Sequence, residues 1–162
     1  MSTYDYQSLM SQTRQLASQY RAATGQSLPV TIELARFDAI TLLNLEEIAG
    51  STNTAYFNLP DGKLLAQIKG RVIFSGGKSR ERVGQLDLAA AWDLTLLVIY
   101  NSDYNPTGIY AASRAVIEDV ISQTKSNKRG AMTVAKFKAI SELIWQPEPA
   151  EQIMESSDIT NE

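Results

Sequence analysis

Residues 94–100 read Leu-Thr-Leu-Leu-Val-Ile-Tyr, and this almost wholly apolar run is the strongest constraint on the fold. A strand that is apolar on both sides belongs in the middle of a sheet that is covered on both faces. Helical spacing of apolar residues supplies the cover, because it predicts helices over residues 4–23, 27–48, 115–124 and 133–145. The sequence therefore indicates an α/β fold with helices packed on a sheet.

A β-hairpin is predicted on the N-terminal side of this run. Residues 55–59 and 63–74 have the composition of strands, and the sequence Pro-Asp-Gly between them is typical of a tight turn. A further strand is predicted at residues 108–114. The predicted element order is therefore α-α-β-β-β-β-α-α, with a four-stranded sheet.

Composition excludes several kinds of chemistry. The 162 residues include neither His nor Cys, so thiolate zinc sites and imidazole bases are excluded. Residues 147–162 carry a charge of −5 and leave +2 on residues 1–146, out of a net −3. We predict one domain over residues 1–146 and an acidic, disordered tail. With no signal peptide and no apolar stretch near ~18 residues, we expect a cytoplasmic protein that does not contact a membrane.

The second hairpin strand has one polar face. Because side chains alternate along a strand, Gln67, Lys69 and Arg71 project from the side opposite to Ala66 and Ile68. Such a face is either a solvated surface or part of a site.

These residues resemble a known motif. Gln67-Ile68-Lys69-Gly70-Arg71 is similar to the (D/E/Q)xK motif of the PD-(D/E)xK nuclease superfamily, and more closely to uncharacterised bacterial members that carry a QIKGR strand. In those relatives a helix with a Glu precedes an Asp-Ala strand, the QIKGR strand, a basic Lys-Ser-Arg loop and an apolar strand. The corresponding pieces here are Glu33, Ala55, residues 67–71, residues 78–80 and residues 94–100.

The resemblance implies a fold and a chemistry. It implies a restriction-endonuclease-like core, with a central mixed four-stranded sheet flanked by helices, over roughly residues 30–145. It also implies a catalytic set of Gln67, Lys69 and Glu33, in which Glu33 and Gln67 hold Mg²⁺ and Lys69 positions the attacking water for phosphodiester hydrolysis. The helix spacing places Glu33 on the half-buried side of its helix. The alternative role for Glu33 is a surface ion pair with Arg36.

The strand Asp of the superfamily has no counterpart in the predicted hairpin. A turn with a glycine bulge pairs Leu59 with Lys63 and places Asn53 opposite Lys69, whereas a tight two-residue turn places Thr54 there. Neither residue is a carboxylate. The resemblance therefore implies a degenerate metal site that binds Mg²⁺ weakly.

A basic loop follows the motif. Arg71 of the motif and Lys78, Arg80 and Arg82 of this loop, which spans residues 75–84, are predicted to contact DNA phosphates. The alternative is that the loop is an ordinary solvated one. Two functions follow from the resemblance: a Mg²⁺-dependent endodeoxyribonuclease, or an inactive pseudo-nuclease that serves as a DNA-binding or protein-interaction subunit. Because many nucleases of this fold are dimers, a homodimer or a protein partner is compatible with both.

Overall fold

The computed structural model describes residues 5–74, 81–123 and 131–149. No helix in these ranges is long and apolar enough to cross a membrane. The described elements, in chain order, are α1 (Tyr6–Thr24), α2 (Thr31–Leu43), β1 (Glu46–Glu47), β2 (Thr54–Leu59), β3 (Gly62–Val72), β4 (Arg82–Gln85), β5 (Leu94–Tyr100), β6 (Pro106–Ser113), α3 (Arg114–Gln123), β7 (Ala131–Thr133), α4 (Val134–Ile140) and β8 (Glu142–Trp145).

Six of the strands form one mixed sheet in the order β1-β2-β3-β5-β6-β8. Only β3 and β5 are parallel among the described pairs of this sheet, and the other neighbours are antiparallel. All seven residues of β5 are buried, which confirms the prediction of a mid-sheet strand. The mixed α/β architecture is also confirmed, although the sheet has six strands rather than four.

The two faces of the sheet are covered differently. The helical face packs against α1 and α2, and Leu96 and Val98 of β5 belong to its apolar cluster. The ribbon face packs against α3, α4 and a two-stranded ribbon of β4 and β7, and Leu97 and Ile99 belong to that cluster. Because both faces are covered, β5 has to be apolar at nearly every position.

Helix α2 lies directly on β3 at Gly70. A Cβ atom on Gly70 would stand 2.7 Å from the Cβ of Ala35 and 3.2 Å from Thr31 Cγ2. Glycine is therefore needed there for close approach of the helix to the strand. This contact fixes the side of β3 that carries Ala66 and Ile68 as the helical face.

The predicted bounds of the second helix are wrong at both ends. The helix begins at Thr31 rather than near Ser27, and its N-cap residue makes no side-chain capping bond. It ends before Asn44, whose φ of 53° is left-handed, a conformation that Asn tolerates. Residues Glu46–Glu47, predicted as part of the helix, pair with β2 as an edge strand instead.

The last predicted helix is also shorter than expected. Helix α4 stops at Ile140 because Ser141 is extended, and the following residues pair with β6 as β8. Leu143 was predicted on the buried side of the helix and is exposed on this edge strand. Helical spacing continues through residues 133–145, so the pattern could not reveal that the edge of β6 takes a further strand.

The hairpin between β2 and β3 has a two-residue turn. Leu59 pairs with Gly62, which leaves Pro60 and Asp61 as the turn. The predicted glycine bulge, which would have paired Leu59 with Lys63, is therefore wrong.

A buried charge network joins three elements. The Arg14 guanidinium of α1 donates to both carboxylate oxygens of Asp38 in α2, at 2.6 and 3.0 Å, and also to the Tyr104 carbonyl at 2.6 Å. The Tyr100 hydroxyl at the end of β5 donates to Asp38 at 2.6 Å. Burial, with the charge of Asp38, raises the pKa of Tyr100, so its hydroxyl keeps the proton that it donates. The network fixes α1 and α2 to the sheet.

We expect the Asp38→Asn substitution to destabilise the protein by about 3 kcal/mol, because it leaves the partly buried Arg14 charge without its counterion. Urea unfolding at neutral pH measures this difference. The control is Glu46→Gln, which removes an exposed ion pair with Lys63 and should change stability little. Equal effects of the two substitutions would contradict a central role for the network.

Candidate functional site

A row of neutral polar side chains crosses three strands on the ribbon face. Thr54 of β2 lies opposite Gln67 of β3, and Gln67 lies beside Thr95 of β5. Gln67 is only 5% exposed, and its side-chain amide donates to the Thr95 hydroxyl at 3.3 Å. The Thr54 hydroxyl contacts that of Ser51. The three side chains of the row therefore carry no charge, and each takes part in a hydrogen bond with another side chain.

The register of the hairpin settles which residue neighbours Gln67. Thr54 pairs with Gln67, so neither Asn53 nor Thr54 lies opposite Lys69. The predicted alternative of a two-residue turn is confirmed, but both predicted registers are wrong, because this turn places Thr54 opposite Gln67 rather than opposite Lys69. The expectation that the residue beside the motif is not a carboxylate still holds, because Thr54 occupies that place.

Lys69 is a half-buried cation two residues along β3 from Gln67. Burial lowers the pKa of Lys69, the Arg71 charge lowers it further, and the Asp87 carboxylate acts in the opposite direction. Within the described ranges no carboxylate lies at ion-pair distance from its ammonium group. Lys69 shares its row with Leu97 and Tyr110, so the charge is held against an apolar and aromatic surface.

Arg71 has a structural role. Its guanidinium donates to the carbonyls of Arg82 and Val83 at 2.6 Å each and to that of Gly70 at 2.5 Å. Gly84, at φ 90°, allows this approach, since a Cβ there would stand 2.6 Å from Arg71 Nη2. The side chain predicted to contact DNA therefore uses three of its five N–H groups to hold β4 against β3.

Glu33 does not join the motif residues. It is exposed on α2, and Thr31 and Ala35, two positions to either side of it, face Gly70. Two residues correspond to about 200° around a helix, so Glu33 points away from the sheet. The prediction that Glu33 lies on the half-buried side of α2 is wrong, and Glu33 and Gln67 do not converge. Arg36 does not pair with Glu33 either.

Arg36 instead joins α2 to the edge of the sheet. Its guanidinium donates to the Glu47 carboxylate and to the Ile48 carbonyl, both at 3.3 Å. The alternative ion pair between Glu33 and Arg36 is therefore wrong, because the acid that pairs with Arg36 is Glu47.

The residues around the motif do not fit Mg²⁺. This ion needs several oxygen ligands and usually one or two carboxylates. Gln67 and Thr95 are bonded to each other, and the described part of the chain has no group of three or more acidic residues that could hold a metal. Asp87, the acid that influences Lys69, is exposed, and its carboxylate accepts from the Ala89 backbone N–H. The metal pair predicted from the resemblance is therefore not assembled.

Further cations lie on the elements that cover the ribbon face. Arg82 is exposed on β4, and Lys136 and Lys138 are exposed on α4. The Lys138 ammonium lies 5.3 Å from the centre of the Tyr110 ring, which neighbours the row of Lys69. The predicted DNA contacts Lys78 and Arg80 lie outside the described residues, as do residues 150–162 of the predicted tail.

Two residues near the motif, Thr95 and Tyr110, were not predicted from the sequence. Thr95 is the one polar residue between apolar neighbours in residues 94–98, and that exception could have marked it as a partner of Gln67. Tyr110 gave no such signal, because aromatic residues are common in strands.

No protein-family model matches the chain, and no curated protein matches it significantly. The resemblance to PD-(D/E)xK nucleases therefore depends on the motif and the order of its pieces.

We expect the Lys69→Met substitution to stabilise the protein by about 1 kcal/mol at pH 7, the size of a typical single stabilising change. A lowered pKa means that the folded state holds the Lys69 proton less tightly than the unfolded state does, so the charge opposes folding below the folded-state pKa. The difference in free energy of unfolding between variant and wild type should shrink as the pH rises toward 10.5, the pKa of lysine in the unfolded chain. Urea unfolding at several pH values tests this, and a destabilised variant at pH 7 would contradict it.

Arg71→Lys should destabilise the protein by about 2 kcal/mol, because a lysine ammonium cannot reach three carbonyls in the planar arrangement of the guanidinium. In hydrogen-exchange measurements, the exchange rates of β4 should increase over those of the wild type, and by more than the rates of β5 do. Protection of β4 that is unchanged in the variant would show that Arg71 does not hold this strand.

Proposed function

We propose that this protein is a nuclease-like module that binds nucleic acid through the phosphate backbone and does not cleave it. The observation that carries the proposal is Lys69: a half-buried ammonium group beside a neutral polar row, with no carboxylate partner among the described residues. In a PD-(D/E)xK site the equivalent Lys acts beside acidic metal ligands. Here the neighbouring side chains are those of Thr54, Gln67 and Thr95.

The electrostatics of the ribbon face favour an anionic partner. An unpaired cation on an apolar surface is weakly solvated, and its attraction for a phosphate is less screened than on an open surface. Arg82, Lys136 and Lys138 add exposed positive charge on the elements that cover this face. Such contacts recognise the backbone rather than base sequence, so the proposal implies non-specific binding that weakens steeply with salt.

The chemistry of the neighbouring side chains argues against hydrolysis. Metal-assisted cleavage needs a cation that is held by carboxylates beside the scissile phosphate. Amide and hydroxyl groups that already bond one another offer weak ligands, and Glu33 points away from the sheet. A restriction-endonuclease-like core without its metal ligands is consistent with this arrangement, and it makes binding the function that the geometry supports best.

Two lysines of β3, Lys69 and Lys63, should contribute differently to DNA binding. Lys69→Met should lower the slope of log affinity against log salt by about 1 for a fluorescent duplex DNA, because one phosphate contact is lost. The matched control Lys63→Met removes an exposed lysine that is paired with Glu46, and it should bind as the wild type does. Fluorescence anisotropy between low and moderate salt gives the slopes.

The same samples test catalysis. Incubation of plasmid with protein and Mg²⁺ or Mn²⁺ should leave the DNA intact, and cleavage that disappears in Lys69→Met would overturn the non-catalytic proposal. Absence of binding at low salt would exclude the nucleic-acid function and leave a protein-interaction subunit as the alternative. Because Lys69→Met is expected to be more stable than the wild type, unfolding cannot imitate the loss of binding.

A further inference from the structure

A cavity of about 320 Å³ opens on the helical face, between α1, the end of β3 and the β5–β6 turn. This volume is near the lower limit of small-molecule sites in proteins. The cavity is separate from the ribbon face, because Phe74, one of its lining residues, packs against the apolar cluster of the helical face. The lining residues are Ser18, Arg21, Ala22, Phe74, Ser102 and Asp103.

Arg21 supplies a fixed positive charge to the cavity. Its guanidinium lies over the ring of Phe74 at 3.9 Å from the ring centre, and it reaches Ser27 Oγ only at 3.5 Å. Stacking orients the guanidinium plane and leaves its edge N–H groups available for an acceptor. No carboxylate in the described segments forms an ion pair with Arg21.

Asp103, an exposed residue of the β5–β6 turn, supplies a negative charge to the lining of the same cavity. The turn that carries it is rigid, since the Asn101 side chain accepts from the backbone N–H groups of both Asp103 and Asn105. Tyr104, at φ 61°, is fully buried and anchors the turn in the core. The Asp103 carboxylate takes no part in these bonds, and no cation of the described residues forms an ion pair with it.

From these two charges we infer that the cavity binds a small zwitterion, of the class of the free α-amino acids. The ligand carboxylate accepts from the edge of the Arg21 guanidinium, and the ligand ammonium donates to Asp103. Asp103 disfavours an inorganic phosphate or a dicarboxylate in the same space, and Arg21 disfavours a simple amine. Ala22 and Phe74 supply an apolar surface for the rest of the ligand.

The experiment titrates the full chain with L-alanine and follows binding by NMR. The same titration is made with N-acetyl-L-alanine, which lacks the ammonium group, and with L-alaninamide, which lacks the carboxylate. We expect saturable binding with a dissociation constant of about 1 mM for L-alanine, and about tenfold weaker binding of each analogue.

Variants identify the two charges separately. Arg21→Met keeps an apolar stem over Phe74, and Asp103→Asn keeps the backbone turn. Each should weaken L-alanine binding about tenfold, and the acetylated analogue should bind Asp103→Asn as well as it binds the wild type. The charge-matched controls Lys63→Met and Asp61→Asn, in the β2–β3 hairpin, should bind as the wild type does.

Two results would overturn the inference. One is the absence of saturation by L-alanine at about 20 mM, well above the expected dissociation constant. The other is binding that is unchanged in both Arg21→Met and Asp103→Asn, which would place the ligand elsewhere. Neither result bears on nucleic-acid binding by the opposite face, so the two proposals fail independently.

Discussion

The contact of α2 with β3 at Gly70 determines which face of the sheet is closed by helices and which face the polar residues of β3 line. The absence of a side chain at this position lets Thr31 and Ala35 lie on the strand, which closes the helical face. Because side chains alternate along a strand, closing that face directs Lys69 and Arg71 to the other one. The same contact turns Glu33 outward, and it therefore decides that the motif of β3 lacks the acid expected from its helix.

The buried network of Arg14, Asp38 and Tyr100 keeps this arrangement in place. Apolar packing alone would let α1 slide over α2, since hydrophobic attraction has no preferred direction. The two-bond contact between Arg14 and Asp38, closed by the Tyr100 hydroxyl, fixes α1, α2 and the end of β5 at one point. Asp38 lies one helical turn from Ala35, so the network and the close contact at Gly70 support the same orientation of α2.

The sequence could reveal those parts of the fold that depend on local pattern. The mid-sheet strand of residues 94–100 and the alternation of Gln67 and Lys69 both follow from side-chain period, and the structure has both. The errors come from long-range competition. Residues 142–145 have helical spacing but find an open sheet edge, and the direction of Glu33 depends on which helix face packs on Gly70. The turn at Pro60-Asp61 shifted the hairpin by one residue, which no pattern of apolar residues distinguishes.

The partly buried cations Arg14, Arg71 and Lys69 differ in the partners that they have within the protein. The guanidinium of Arg14 has the Asp38 carboxylate as its counterion, and that of Arg71 has three carbonyls as hydrogen-bond acceptors, so both have partners within the fold. Lys69 has no comparable partner among the described residues, and burial lowers its pKa. A methionine would fill the same space without the desolvation cost of the ammonium group. The nucleic-acid backbone of the proposed function would supply an anion to this cation on the ribbon face.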